Sequence, residues 1–317
     1  MKVLVTGGAG FLGSNFVRFL RSNRPDWRIS ILDALTYAGN LENIRDFEND
    51  VSFVQGDIRN SKDVRRAVAG QDSVVHFAAE THNDNSISGP GVFVSTNVIG
   101  TFEILEACRL FDVRLHHVST DEVFGDTDLD SKEKFGLDSS YNPSSPYSAS
   151  KAASDLLVRA WVRTYGLKAT ISNCTNVYGP YQHKEKLIPS TILNLLKEEP
   201  PTIYGAGLNV RDWIHVDDHS SAILKILEKG ILGQTYLVSA DQPRTNLEIV
   251  TRIIELMESG QKIRFVPDRP GHDRRYALDS AHLRTSLGWR PKRGPVEKEL
   301  REVVDFYRGK LSSSPTS

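Results

Sequence analysis

The stretch Lys2-Val-Leu-Val-Thr-Gly-Gly-Ala-Gly-Phe-Leu-Gly-Ser14 decides the fold that the rest of the chain can adopt. Residues 3–5 form an apolar run, which is typical of a parallel strand that is buried on both faces. The glycines Gly7, Gly10 and Gly13 follow at once, in the spacing of a tight turn that opens a helix. The stretch therefore predicts a strand, a turn and a helix at the start of an α/β domain.

The same glycines indicate a site for a dinucleotide. Gly10 lets the backbone approach a pyrophosphate, Gly13 lets the helix pack closely on the strand, and the first-turn N–H groups from Phe11 onward face the anion. A glycine-rich turn can also bind nothing. The position of this one favours binding, because a strand precedes it and an amphipathic helix with Phe16 and Leu20 on one face follows it.

A carboxylate at the end of the next strand indicates which dinucleotide is bound. The strand at residues 29–32 ends at Asp33, about 20 residues after the last glycine, as expected of an acid that binds a ribose hydroxyl. This carboxylate would repel a 2′-phosphate, so the sequence predicts NAD rather than NADP. Further contacts to the cofactor are predicted in the segments that follow the strands, at Leu35, Thr36, Asp57, Ile58, Phe77, Ala78 and Ala79.

Length and composition restrict the remaining choices. With 317 residues and 39% hydrophobic residues, the chain can form a dinucleotide domain and a smaller companion. A net charge of −1 provides no overall electrostatic field that would attract nucleic acid or an anionic membrane. Cys108 and Cys174 are too few for a disulfide framework or a metal site, and no uninterrupted apolar run is long enough to span a bilayer. We expect a cytoplasmic protein without a metal, a membrane partner or a nucleic-acid partner.

Alternating strand and helix patterns predict the fold class, which is α/β with a Rossmann-type doubly wound parallel sheet. The alternation fades after Gly179-Pro180. We therefore predict an NAD-binding Rossmann domain over residues 1–178, to which a segment at about 205–230 returns. Residues 179–317 are predicted to form a smaller mixed lobe that binds the substrate, and the tail from Ser312 onward to be disordered.

Two acids lie where such a sheet binds ligands. Thr120, Asp121 and Glu122 follow the strand at residues 115–119, and the carboxyl ends of parallel strands form the binding edge of an open sheet. Adjacent acids at a strand end point to different sides, so one could donate a proton while the other accepts one. The alternative is a loop turn or a helix cap made by Asp121.

A helix after this edge carries a second reactive pair. Tyr147 and Lys151 are four residues apart, which puts both side chains on one face. An ammonium beside a phenol is expected to lower the pKa of Tyr147 toward neutrality, so that the phenol can take a proton from a substrate hydroxyl. Lys151 could also bind the nicotinamide ribose. The alternative is a solvated helix face, which the dinucleotide loop upstream makes less favourable.

These motifs resemble those of the extended short-chain dehydrogenase/reductase family. Ser119-Thr-Asp-Glu-Val-Phe-Gly-Asp126 is similar more narrowly to the dTDP-glucose 4,6-dehydratases, and so are Ser145-Pro-Tyr-Ser-Ala-Ser-Lys-Ala152 and Asp268-Arg-Pro-Gly-His-Asp-Arg-Arg-Tyr276. The matching runs cover nearly the whole chain. The resemblance implies a lyase that dehydrates a nucleotide-diphosphate glucose, with dTDP-glucose as the default substrate and uridine or another base as an open alternative.

The resemblance also implies an internal redox cycle. Tyr147 would take the proton of the sugar 4-hydroxyl while NAD oxidises C4. Glu122 would then remove the C5 proton, Asp121 would protonate the departing C6 hydroxyl, and hydride would return to C6 from a cofactor that stays bound. Thr120 and Thr81 would bind the sugar hydroxyls.

Further residues are carried over by position from the same resemblance. It implies cofactor contacts at Leu12, Thr96 and Asn173, and a homodimer formed by helices near residues 97–110 and 150–165. The cationic residues in the substrate set have a physical use, because guanidinium and ammonium groups neutralise phosphates. The implied substrate-binding residues are Thr81, Thr120, Asn176, Lys186, Leu187, Thr202, Tyr204, Arg211, Asn246, Arg269 and His272.

The chain departs from the family pattern at three places. Val177 stands where a second asparagine is usual, and Phe124 stands where tyrosine is common. Thr81-His-Asn-Asp-Asn-Ser86 replaces Ser-His-Val-Asp-Arg-Ser, with the loss of a positive charge. Two other functions stay open. One is a nucleotide-sugar 4-epimerase or decarboxylase of the same superfamily, which would not need the adjacent acids, and the other is a non-catalytic NAD-binding scaffold.

Overall fold

The computed structural model describes residues 1–312, so most of the tail that was predicted to be disordered lies outside the described residues. The strands are, in chain order, β1 (Lys2–Thr6), β2 (Arg28–Asp33), β3 (Ser52–Gln55), β4 (Ser73–His76), β5 (Arg114–Thr120), β6 (Ala169–Cys174), β7 (Asn176–Tyr178), β8 (Thr202–Tyr204), β9 (Val210–His215), β10 (Thr235–Val238), β11 (Pro243–Thr245) and β12 (Arg264–Val266). The α-helices are α1 (Phe11–Asn23), α2 (Ser61–Val68), α3 (Asn83–Ser88), α4 (Pro90–Phe93), α5 (Gly100–Phe111), α6 (Pro146–Tyr165), α7 (Leu187–Leu196), α8 (Val216–Lys229), α9 (Asn246–Met257), α10 (Ala281–Leu287) and α11 (Val296–Ser312).

A seven-stranded parallel sheet forms the centre of the molecule, in the order β10-β6-β5-β4-β1-β2-β3. The strand order reverses between β1 and β4, and this is the position where doubly wound sheets bind ligands. The predicted fold class is confirmed.

Alternate residues of β1 face opposite sides of this sheet. Val3 and Val5 pack with Phe16 of α1, whereas Leu4 packs with Leu105 of α5. Helices therefore cover both faces of the sheet, and the uniformly apolar β1 sequence follows from this double burial.

The turn after β1 requires glycine for steric reasons. Gly7 has a φ of +69°, and a Cβ on it would lie 2.8 Å from the backbone of Ala78. A Cβ on Gly13 would lie 2.2 Å from the carbonyl oxygen of Gly7. The close approach of α1 to the turn thus depends on a missing side chain at both positions.

We expect Gly13→Ala to destabilise the protein by about 3 kcal/mol or more, because the added methyl meets backbone that cannot move independently. Urea denaturation of the purified protein, with and without added NAD, measures the loss of stability and any decrease in the stabilisation that NAD provides. Gly260→Ala is the matched control, since nothing lies within 4 Å of a Cβ at that exposed position. Equal stability of the two variants would contradict the steric explanation.

The second lobe is smaller and mixed. β7 pairs in parallel with β9, and β9 pairs antiparallel with β11. Its core joins α7, α9 and α11 around residues such as Ile192, Trp213, Ile249 and Leu300. The division at residues 178 and 179 stays a prediction. The chain does return to the first lobe. The helix α8, which lies within the predicted segment at about 205–230, packs on α1, and β10, which follows that segment, adds a strand to the large sheet.

One helical stretch passes the length and composition test for a membrane span. Pro90–Phe111, which comprises α4, a π-helical segment at Val94–Ile99 and α5, is 22 residues long, and its most apolar part has a mean hydropathy of 1.2. The stretch is not an uninterrupted apolar run, because it contains Glu103, Glu106 and Arg109. Of its most apolar part, 44% is buried in the fold, as in a core helix.

Candidate active site

A cleft opens at the carboxyl ends of β1, β4, β5 and β6, at the position where the strand order reverses. The glycine turn lies on one side of the cleft and the acids after β5 lie on the other. The structure brings most of the predicted site residues to this cleft. They are Gly7, Gly10, Phe11, Leu12, Gly13, Asp33, Thr36, Asp57, Ile58, Phe77, Ala78, Ala79, Thr81, Thr96, Thr120, Asp121, Glu122, Tyr147, Lys151, Asn176 and Lys186.

The remaining predicted residues do not line this cleft. Two of them belong to the cofactor set, and most of the others lie on elements of the second lobe or on the loops that connect them. They are Leu35, Asn173, Leu187, Thr202, Tyr204, Arg211, Asn246, Arg269 and His272.

The start of α1 has the features of an anion site. Gly10 is the N-cap residue and offers no side-chain hydrogen bond, and no acidic residue lies in the first turn. The leading N–H groups of a helix have no intrahelical partner. With the space left by Gly7 and Gly13, these groups fit the pyrophosphate of a dinucleotide.

Asp33 is held in a fixed orientation at the end of β2. Its Oδ2 accepts a hydrogen bond from the Ala9 backbone N–H at 2.9 Å, and its Oδ1 accepts one from that of Leu35 at 2.8 Å. Burial raises the pKa of this carboxyl, although the two N–H groups oppose the shift. Each oxygen keeps a further lone pair, so binding of a ribose hydroxyl is compatible with this geometry and stays a prediction.

Asp121 and Glu122 occupy different environments. Thr120 ends β5, and its Oγ1 accepts a hydrogen bond from the Glu122 backbone N–H at 3.3 Å, so Thr120 rather than Asp121 caps the following turn. Asp121 is 2% exposed, and its Oδ2 has no hydrogen-bond partner among the described residues. Burial, and next the Glu122 charge, raise the pKa of Asp121 well above its ordinary value, while Arg211 opposes them. The raised pKa favours the protonated form of Asp121, which is the form that a general acid requires.

Tyr147 and Lys151 are both buried in α6, with a result that differs from the expectation. Burial, and next the Glu122 charge, raise the pKa of Tyr147 well above its ordinary value, whereas a lowered pKa was predicted. The Lys151 ammonium donates a hydrogen bond to the Val118 carbonyl oxygen at 2.9 Å, and burial lowers its own pKa. The prediction was wrong because it neglected the burial of the phenol and the neighbouring carboxylate, both of which raise the pKa.

The predicted phosphate ligands have protein partners. Arg211 donates a hydrogen bond to the Asp273 carbonyl oxygen at 2.7 Å and stacks over a tyrosine ring. Arg269 forms an ion pair with Asp84 of α3 at 3.0 Å. Lys186 donates to the Thr81 carbonyl oxygen at 2.9 Å, and burial lowers its pKa.

Comparison with known proteins decides the family. A family profile described as GDP-mannose 4,6 dehydratase matches residues 4–301. The chain belongs to the GDP-mannose 4,6 dehydratase family. A relative from Mycobacterium tuberculosis (strain CDC 1551 / Oshkosh), named dTDP-glucose 4,6-dehydratase, is 54% identical over 97% of this chain and 93% of its own length. A relative of the same name from Salmonella typhimurium is 43% identical over 97% of this chain and 92% of its own.

Solved structures agree with this membership of the dehydratase family. DesIV, a dTDP-glucose 4,6-dehydratase from Streptomyces venezuelae solved with NAD bound, has a TM-score of 0.95 and 43% identity over 98% of both chains. A UDP-glucose 4-epimerase from Thermus thermophilus, also solved with NAD, has a TM-score of 0.90 and 32% identity over 98% of this chain and 99% of its own. The resemblance predicted from the sequence is confirmed at the level of the family.

Two polar residues of this dehydratase site escaped the sequence analysis. Asn83 donates a hydrogen bond to Glu122 Oε2 at 2.9 Å. Asp155 is fully buried beneath Lys151 and accepts hydrogen bonds from Ser119 and other groups. The spacing of Lys151 and Asp155, one helical turn apart, could have indicated the second of these. The partner of Asn83 could not have been found without the fold.

Proposed function

We propose that this chain is an NAD-dependent dehydratase that converts dTDP-glucose to the 4-keto-6-deoxy sugar. C4 oxidation, elimination of water across C5 and C6, and reduction at C6 with return of a proton to C5 would follow one another in one site. The observation that carries the proposal is the buried Asp121, with its raised pKa, beside the half-buried Glu122 in the same cleft as Tyr147 and the glycine turn. Relatives that are 54% identical and carry the dehydratase name support it.

Tyr147 and Lys151 serve the first step in this proposal. When bound, NAD supplies a cationic nicotinamide ring that takes up and later returns a hydride and that favours the phenolate. Tyr147 accepts the proton of the sugar 4-hydroxyl, and Thr120 stabilises the phenolate, because its hydroxyl lowers the phenol pKa. Lys151, fixed on the Val118 carbonyl oxygen, keeps a positive charge near the same end of β5.

The two acids divide the elimination between them. A keto group at C4 makes the C5 proton acidic, and Glu122 removes this proton. Asp121 delivers its own proton to the departing C6 oxygen, so that water leaves. The different burial of the two carboxyl groups supports this assignment, since burial raises the pKa of Asp121 and so favours its protonated form.

The predicted substrate residues outside the cleft remain part of the proposal as contacts to the nucleotide diphosphate. Arg269 would exchange its ion pair with Asp84 for a phosphate, which a guanidinium binds through two hydrogen bonds. Arg211 keeps a neighbouring role, because its guanidinium is bound to backbone carbonyl oxygens.

The competing functions make different use of the same cleft. A 4-epimerase shares the fold, as the Thermus thermophilus structure illustrates, but it needs no acid and base for C5 and C6. A non-catalytic scaffold needs neither Tyr147 nor the acids. The pair formed by Asp121 and Glu122 favours the dehydratase over both.

One assay separates these functions. Purified protein with dTDP-glucose in D2O is expected to give a base-labile 4-keto-6-deoxy product that carries deuterium at C5. Return of only the C4-inverted sugar would identify an epimerase, and no conversion would support a scaffold. Parallel assays with UDP-glucose and GDP-glucose test the nucleobase, where a single methyl group provides only about 1–3 kcal/mol of discrimination.

We also propose a homodimer in which a second copy covers the exposed apolar face of α5 and α6. Ile99 at the end of the π-helical segment, Phe102 of α5 and Leu156 of α6 are exposed. Leu157 and Trp161 of α6 pack partly against the core and contribute less. A cytoplasmic location is proposed as well, and the two buried, unpaired cysteines support it.

Leu156→Glu is expected to weaken such a dimer by roughly a hundredfold, because a carboxylate would be buried in an apolar contact. The folded monomer should keep its stability, since Leu156 is 55% exposed. Sedimentation at several concentrations measures the change, with Ile231→Glu as the control at an equally exposed site. A dimer of unchanged affinity would reject this face as the interface.

A further inference from the structure

Asn83 lies where it can control the Glu122 side chain. It begins α3, and its Nδ2 donates a hydrogen bond to Glu122 Oε2 at 2.9 Å. Within residues 1–312, no other side chain donates a hydrogen bond to this carboxylate. The Glu122 orientation therefore depends on one amide group.

The amide is itself fixed by the helix that carries Tyr147. Ser145 Oγ donates a hydrogen bond to Asn83 Oδ1 at 2.8 Å, which orients the Nδ2 end toward Glu122. The same Ser145 Oγ accepts a hydrogen bond from the Ser148 backbone N–H at 3.1 Å and caps α6. A chain of hydrogen bonds thus links the carboxylate after β5 to the first turn of α6.

We propose that Asn83 is a positioning residue that holds Glu122 for removal of the C5 proton, an inference that rests on the proposed function. An ionised carboxylate only accepts hydrogen bonds, so an amide N–H on Oε2 fixes one oxygen and leaves Oε1 to face the substrate. The contact reaches Glu122 alone among the reacting side chains. Loss of the amide would therefore slow elimination and leave C4 oxidation intact.

The role is a feature of this chain rather than of the family pattern. The resemblance assigns valine to position 83, and valine has no N–H group to donate to a carboxylate. Asn83 is half-buried and Ser145 is buried, so solvent competes weakly for the contact. The structure thus gives a physical consequence to a departure that the sequence alone left unexplained.

The test compares Asn83→Val and the isosteric Asn83→Asp with Asn85→Val. Asn85 is an exposed residue of α3 whose side chain is no part of the site. With dTDP-glucose, both Asn83 variants are expected to lose about tenfold in kcat and in deuterium entry at C5, while KM stays within about twofold. Reduced cofactor should accumulate on both Asn83 variants in a single turnover. Asn85→Val should match the wild type in every measurement.

The outcomes separate the inference from the proposed function. Undiminished deuterium entry in the Asn83 variants, with an active wild type, overturns the role of Asn83 alone. An equal fall in C4 oxidation and elimination also overturns it, and so does a rise in KM together with losses of kcat and thermal stability, because a structural role explains either result. If Asn83→Val does not fold, Asn83→Asp decides by the same readouts. A wild type that forms no keto sugar rejects the proposed function instead.

Discussion

Glu122→Gln is expected to stop catalysis after C4 oxidation and to leave reduced cofactor on the enzyme. Glutamine keeps the shape of the side chain and cannot accept a proton, so elimination should slow by about 10²- to 10⁴-fold. The Asn83 side chain would then face the glutamine amide in place of the carboxylate, and the fold should be preserved. The absorbance of bound, reduced cofactor in a single turnover with dTDP-glucose measures the arrest directly.

The same substitution has a second consequence that can be checked. Burial is the largest cause of the raised pKa values of Asp121 and Tyr147, and the Glu122 charge is the second largest. Without that charge both pKa values fall, so the rate of C4 oxidation should reach its plateau at lower pH than in the wild type. Glu133→Gln, at an exposed loop position, is the control and should change neither property. Full turnover by Glu122→Gln would show that another group removes the C5 proton.

Tyr147→Phe is expected to slow the first oxidation itself, again by about 10²- to 10⁴-fold, because phenylalanine has no hydroxyl to take the proton of the 4-hydroxyl. The ring should stay in place, since its contact with the Phe93 ring, 6.3 Å between centroids, does not involve the hydroxyl. Reduction of bound NAD after mixing with substrate is the measurement. Tyr165→Phe, on the exposed end of the same helix, is the control. Wild-type reduction of the cofactor by Tyr147→Phe would contradict the role of the phenol.

The residues near the N-terminus made the first lobe predictable. In β1 and its glycine turn, hydrophobic pattern, glycine spacing and strand ends are all local, so they can be read in one pass along the chain. The position of Asp121 and Glu122 at the cleft also follows from the rule for strand ends.

Properties that depend on distant residues could not be predicted in the same way. The pKa of Tyr147 depends on burial and on Glu122, which lies 25 residues earlier in the chain. The contact between Asn83 and Glu122 depends on how α3 packs against the end of β5. The partners of Arg269 and Arg211 depend on loops that carry no periodic signal, which is why the second lobe was predicted only in outline.

The return of the chain to the large sheet has a consequence for how the two lobes can evolve. The strand β10 closes one edge of that sheet, and Ile223, Leu224 and Leu227 of α8 cover the apolar side of α1. A protein shortened to residues 1–178 would expose this apolar side and a bare sheet edge, which favours aggregation. The halves are therefore interwoven rather than interchangeable modules, and a new sugar specificity has to arise by point substitution within one cooperative unit.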